Sequence, residues 1–353
     1  MTSKYLAAAA LFSAIGLTGF ATHAGASPAG NGTLGPAGVV YTANEKDGTI
    51  SAVDFATGRV DGAAIPIMPH NVQISADGRR LYAVGMGMAM TGTGGMGAHG
   101  TAGGRLVVLD SLDVARGPVA EVAIGPHPAH VVTSADGKFA YITDSGENAV
   151  QVVDLAAMRI LRAIPTGAYP HGLRASPDGR ELYVANVKSG DVSVIDTVTL
   201  AETARIKVGK GPVQVAFTPD GRKVFVSLNG ENKIAVIDRG ARKILGTVAV
   251  GRNPVQVFVT PDSKFVYVAN QGTEAKPDNT VSVIDVGANR VVATVTTGKG
   301  AHGVVIDDGG RFVFVSNIAD NSVSAIDTAT QTVARSFKVG AGPNGITFRG
   351  APN

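Results

Sequence analysis

The chain has 353 residues, no cysteine and a formal net charge of +3. Without thiols it can form no disulfide, thiolate metal site, cysteine nucleophile or C-x-x-C-H haem attachment. So slight a charge imbalance, with no basic run and no interleaved aromatics, argues against a nucleic-acid partner.

In chain order, the first element reads as an export signal over residues 1–26. Lys4 gives a short positive start, Leu6 to Phe20 an apolar stretch, and Ala24-Gly25-Ala26 small residues for cleavage before Ser27. Export without disulfides fits a periplasmic or secreted product. The apolar stretch is short and rich in glycine and alanine, and no later segment reaches 18 uninterrupted apolar residues, so no stable membrane insertion is expected after cleavage. A retained N-terminal anchor is the alternative. Residues 27–38 read as a flexible segment.

Residues 39–349 repeat one unit seven times, each closing on an apolar residue and an aspartate: Val53-Asp54, Leu109-Asp110, Val153-Asp154, Ile195-Asp196, Ile237-Asp238, Ile284-Asp285 and Ile326-Asp327. Most of these aspartates lie 42 to 44 residues apart, a period that belongs to stacked supersecondary units. In the unit from Pro170 to Gly209, a short strand ends in Pro177-Asp178-Gly179, where Asp caps locally and Gly accepts positive φ. Three further strands follow, which is the content of one propeller blade. Tyr41, Tyr82, Tyr141, Tyr183, Phe225, Tyr267 and Phe314 form one column and are read as packing between blades.

The pattern opens at Val39 on a second strand and closes at Pro343 to Phe348 on a first strand, so the two ends complete one blade. The expected fold is all-β: a seven-bladed β-propeller of four-stranded antiparallel blades, closed by N- and C-terminal strands sharing one blade, and a monomer. The runs Leu182 to Thr197 and Val266 to Asn270, with Pro177-Asp178-Gly179, resemble the YVTN-type β-propeller repeat over nearly all of the mature chain. That resemblance implies an exported binding or redox protein, similar to the propeller domains of nitrous oxide reductase and haem d1 proteins, or to lactonase-like enzymes.

Function is sought where the repeat breaks. The aromatic-to-aspartate spacing is 13 residues in five units but 28 in the second and 18 in the sixth. The two insertions, around Met86 to Gly104 and Thr273 to Asn279, are expected to project over one mouth of the channel. The longer one carries Met86, Met88, Met90, Met96 and His99 among glycines, which cannot supply a core, so the thioethers are expected on a mobile loop. Thioether with imidazole suits copper, particularly Cu(I), because a soft donor matches a soft ion. The alternative is a flexible lid over apolar surface or a hydrophobic ligand.

A second group lies at the starts of the innermost strands. His70, His130, His171 and His302 fall at nearly the same repeat position, occupied elsewhere by Gln214, Gln256 and Asn344. They should ring the mouth, with the first three, from consecutive blades, able to approach one point. Neutral imidazole is the commonest metal ligand; a hydrogen-bonding lining for a watery channel is the alternative.

No Ser-His-Asp spacing, nucleophile elbow or P-loop context stands out. The repeated aspartates are read as turn caps on the other face. The leading expectation is an exported, non-catalytic binding or scaffold protein with a copper-binding face, taking a small ligand or periplasmic protein at the mouth. An oxidoreductase using a metal or tetrapyrrole, or a lactonase-like hydrolase, is the alternative.

Overall fold

The computed structural model describes residues 37–88 and 102–351. They form seven four-stranded antiparallel sheets. Blade 1 combines Gly38–Asn44, Thr49–Asp54 and Val60–Ala64 with Pro343–Gly350, which is its innermost strand. Blades 2 to 7 occupy residues 67–123, 128–165, 170–207, 212–249, 254–296 and 301–338. Among the described residues there is no α-helix, only a 3-10 turn at Val114–Arg116, and no helix is long and apolar enough to cross a membrane. The expected signal segment 1–26, most of 27–38, and Met90, Met96 and His99 lie outside the described residues.

Local chemistry repeats with the blade. In blade 4 the Ser176 hydroxyl donates to Asp178 (2.6 Å), the Glu181 N–H donates back to Ser176 Oγ (3.0 Å), and Gly179 turns the chain at φ 69°. The strand-ending aspartates cap their turns: Asp196 accepts the Thr199 N–H at 2.7 Å and Asp285 the Ala288 N–H at 2.7 Å. The aromatic column is buried, with Tyr41, Tyr183, Phe225, Tyr267 and Phe314 all at 0 % exposure. Each ring fills the wedge between neighbouring sheets, where burying an aromatic side chain stabilises by roughly 2–3 kcal/mol. The ring seals in blade 1, where Phe348 stacks on Phe314 at 5.5 Å.

The described parts of both insertions continue their strands, whereas Met86 was expected on a mobile loop. In blade 6 the strands Phe265–Gly272 and Pro277–Asp285 run past their usual ends and pair Gly272 with Pro277, leaving a tight turn closed by Thr273 and Lys276. In blade 2, Arg80–Gly87 pairs with Ala102–Asp110 out to Gly87 and Ala102, so Met86 is a strand residue opposite Gly104 and Met68. Ladder hydrogen bonds extend the hairpins because an unpaired backbone there would lack partners.

Candidate functional site

A bulge places the site. In all seven blades the pairing between the innermost strand and its neighbour shifts near its start, just after the first residue in six blades, for example between Pro170 and Leu173 and between Pro128 and Val131, and after the third, between Pro69 and Asn71, in blade 2. Residues freed from the ladder there can be re-aimed. They occupy two successive positions rather than one: His70, His171, His302 and Asn344 the first, His130, Gln214 and Gln256 the second.

A hydroxyl from the second strand then pins the freed backbone. Thr143 Oγ1 accepts the His130 N–H (3.0 Å) and donates to the carbonyl of His171 in the next blade (2.5 Å). Ser227 does the same for Gln214 and Val255, at 3.0 and 2.6 Å.

These constraints bring three imidazoles together. The ligand nitrogens of His70, His130 and His171 all lie within 4.8 Å of one another, and the ring centroids are 4.9 to 5.9 Å apart. His70 Nε2 and His171 Nε2 are 3.2 Å apart. His171 Nδ1 lies 3.2 Å from the Val213 carbonyl, which accepts its proton and leaves the lone pair on Nε2. His302 makes the same forward bond to the Asn344 carbonyl at 3.2 Å and stands outside the triad.

His70 is turned the other way. Its Nδ1 lies 3.2 Å from Glu45 Oε1, and Glu45 Oε2 accepts the Asn344 side-chain amide at 2.5 Å. Burial would raise the Glu45 carboxyl, but the hydrogen bonds from His70 and the Asn344 amide outweigh it and hold the carboxyl at about 2. The Asn344 amide nitrogen also lies 3.1 Å from His70 Nδ1, but its hydrogen bond to Glu45 Oε2 is the shorter, so the carboxylate is the acceptor that places the proton of His70 on Nδ1 and aims its Nε2 lone pair at His171.

The other imidazoles are neutral. Burial holds His171 at about 3; it holds His302 at about 4 and His130 well below the ordinary histidine range. His130 is oriented across the mouth by Gln214: the Gln214 Oε1 accepts the Val215 N–H (2.8 Å), so its NH2 faces His130 Nδ1 at 3.3 Å. In that arrangement the His130 proton sits on Nε2, which has no hydrogen-bond partner. Gln256 is buried with its own Nε2 unpartnered.

A cavity of about 530 Å³ opens at His70 and His171, lined also by Glu45, Met86, Tyr169 and Lys188, among others. Met86, held by its strand, therefore lines the same cavity as His70 and His171. Met88, exposed at the end of that strand, packs instead on Gly48 of blade 1.

The sequence reading passed over Glu45, Tyr169, Lys188 and Arg174. Glu45 sits four residues after Tyr41, the repeat position that holds Met86 in blade 2 and Ser145, Val187, Asn229, Gln271 and Ile318 elsewhere. A carboxylate in that column was the available signal. Arg174 lies farther along its innermost strand, its guanidinium donating to the Leu173 carbonyl at 3.2 Å, and its charge opposes protonation of His130.

The arrangement can hold a transition-metal ion. An ion with nitrogen ligands at about 2.0–2.1 Å sets those nitrogens roughly 3.3–3.6 Å apart in trigonal or tetrahedral geometry. The 3.2 Å separation of His70 and His171 falls just short of that span and needs only a slight opening; His130 must close in and exchange its Gln214 contact. A histidine ligand oriented by a carboxylate, as His70 is by Glu45, is the usual outer-shell arrangement of metal sites.

No curated protein matches this chain. Among solved structures it is similar to hydrazine synthase of Kuenenia stuttgartiensis, with 20% identity and a TM-score of 0.67 over 80% of this chain and 89% of that one. It is also similar to a functionally unknown protein from Desulfotomaculum acetoxidans, with 16% identity and a TM-score of 0.71 over 89% of this chain and 99% of that one. Likeness at these identities concerns the fold alone. The family model described as YNCE-like beta-propeller matches residues 108–259 and 250–350, more than half of the sequence, and the chain belongs to that family.

Proposed function

We propose that this propeller is an exported, non-catalytic binding protein whose channel mouth holds a soft or borderline transition-metal ion, copper foremost. The observation that carries the reading is the convergence of His70, His130 and His171, with ligand atoms within 4.8 Å. Two of these imidazoles already have their Nδ1 protons committed elsewhere. Neutral imidazoles with a thioether at the wall, from Met86, favour copper over hard cations such as magnesium or calcium, which prefer oxygen ligands. Export rests on the reading of residues 1–26.

Metal analysis and a Cu(I) titration of the purified chain test this. One copper per chain is expected, lost in His70→Ala and His171→Ala and weakened in Met86→Leu. Unchanged stoichiometry in both histidine variants would remove the triad from the account. Unchanged binding when Met86, Met88 and Met90 all become leucine would remove the thioethers.

A further inference from the structure

Tyr169 stands where the backbone does not want it. The residue just before the innermost strand turns through positive φ in five blades, and four of them supply glycine or asparagine: Gly211 (63°), Asn253 (48°), Gly300 (70°) and Gly342 (65°). Blade 4 supplies Tyr169 at φ 62°. Met158, Leu200, Arg242 and Gln331 take the same region at 49–55°, each in the turn between the third and fourth strands of its blade, so it is the place of Tyr169, on a cavity wall, that makes its strain point to a ligand. The loop itself is ordinary, since Asn148 Oδ1 accepts the Tyr169 N–H at 2.8 Å just as Asn232 accepts that of Asn253. The unusual element is therefore the ring, which is 37 % exposed and lines the cavity beside His70 and His171.

Lys188 covers that ring, its Nζ 4.5 Å from the centroid. Among the described residues no carboxylate lies within ion-pair distance of Lys188. Glu45, the carboxylate on the same cavity, has its oxygens taken by His70 and Asn344. Arg174 adds a second cationic group near His130. With a metal ion on the imidazoles the mouth carries excess positive charge, and three protein ligands leave the ion an open position.

We propose that the cavity is a carboxylate-binding site: a small organic acid pairs its charge with Lys188, lays its apolar body against Tyr169, and directs a carboxylate oxygen to the metal. This rests on the metal reading for its last contact only. A free acid and the C-terminus of a peptide share that chemistry.

The test loads the full chain with Cu(II) and titrates it with benzoate, with benzamide as the uncharged control and glycylphenylalanine as the peptide arm. Calorimetry reads binding, and the visible and EPR spectra of Cu(II) read the change of ligand. Benzoate or the dipeptide is expected to bind and shift the spectrum, benzamide about tenfold more weakly or worse. Lys188→Gln and Tyr169→Gly should each weaken the acid about tenfold while leaving copper stoichiometry intact. Tyr169→Gly should also melt no lower than the parent, which a purely structural tyrosine would not allow. Copper binding with neither acid detected overturns the carboxylate site and leaves the metal reading standing. If copper fails to bind, the same titration on the metal-free chain decides: heat that depends on Lys188 and Tyr169 keeps the site, and its absence overturns it.

Discussion

His70 and His171 point their Nε2 atoms at each other across 3.2 Å, while each Nδ1 is engaged elsewhere, by Glu45 and by the Val213 carbonyl. Two neutral rings so committed would oppose lone pair to lone pair, an arrangement that a shared cation relieves. Copper or zinc at about 100 times its Kd should therefore stabilise the fold by about 2.7 kcal/mol. That raises Tm by about 4 °C for a chain of this size. Differential scanning calorimetry with and without metal measures it. A Tm unmoved by metal, or moved equally in His171→Ala, would separate this pair from binding.

The carboxylate of Glu45 is what turns His70 away from the forward bond that His171 and His302 make to the next blade. Glu45→Gln keeps the size but loses the charge and can present its NH2 to Nδ1, favouring the tautomer with the proton on Nε2. The expected result is a metal affinity lower by about 10- to 100-fold. Glu45→Asp should be weaker than the parent through its shorter reach. Competition titration against a chelator of known affinity reads both, and parental affinity in Glu45→Gln would leave the carboxylate without a positioning role.

How much of this was legible in the residues follows from what a repeat encodes. The spacing of the Ile-Asp pairs, the Asp-Gly turns and the split of one blade between the termini are local or periodic signals. Each imposes the same backbone wherever it recurs, so the ring and the face of each loop could be read in advance. His70, His130 and His171 were legible as three consecutive blades at one rim. The direction of each ring was not, because it depends on partners from other blades: Val213 for His171, Gln214 for His130, Glu45 for His70. The glycine-rich composition around Met86 pointed to a free loop, whereas the ladder from Gly85 to Gly87 continues against both Met68 and Gly104. Backbone pairing overrode composition there. Tyr169 went unnoticed because positive φ at that position shows only once Gly211, Asn253, Gly300 and Gly342 are aligned with it.

Acid should destabilise the metal-free protein. Burial holds His171 at about 3, His302 at about 4 and His130 well below 6.5, so these rings stay neutral in the fold while the unfolded chain takes up protons near pH 6.5. The unfolded state thus binds more protons as pH falls from about 6.5 toward the folded values, and stability falls with it. Glu45, held at about 2, loses its contribution in the same direction below its ordinary value of 4.5. With water entering the mouth, the expected loss between pH 7 and pH 5 is on the order of 3 kcal/mol. Urea midpoints across that range measure it. A flat profile, or one that rises toward acid, would contradict neutral imidazoles in the folded state.

Thr143 offers the sharpest separation of scaffold from ligand. Its hydroxyl holds two backbones at once, accepting from the His130 N–H at 3.0 Å and donating to the His171 carbonyl at 2.5 Å, with the side chain fully buried. Thr143→Val preserves shape and removes both bonds, leaving a buried N–H and a carbonyl unpaired at a cost of about 1–3 kcal/mol. Thr143→Ser keeps the hydroxyl and should lose far less. The equivalent change Ser227→Ala breaks the same link between Gln214 and Val255, on the part of the ring that carries no imidazole. Both should lower the urea midpoint, yet Thr143→Val should weaken metal binding more, because there the released backbones themselves carry His130 and His171, whereas Gln214 touches His130 through its side chain alone. Equal loss of metal affinity in Ser227→Ala would mean that binding follows the rigidity of the whole ring rather than the placement of His130 and His171.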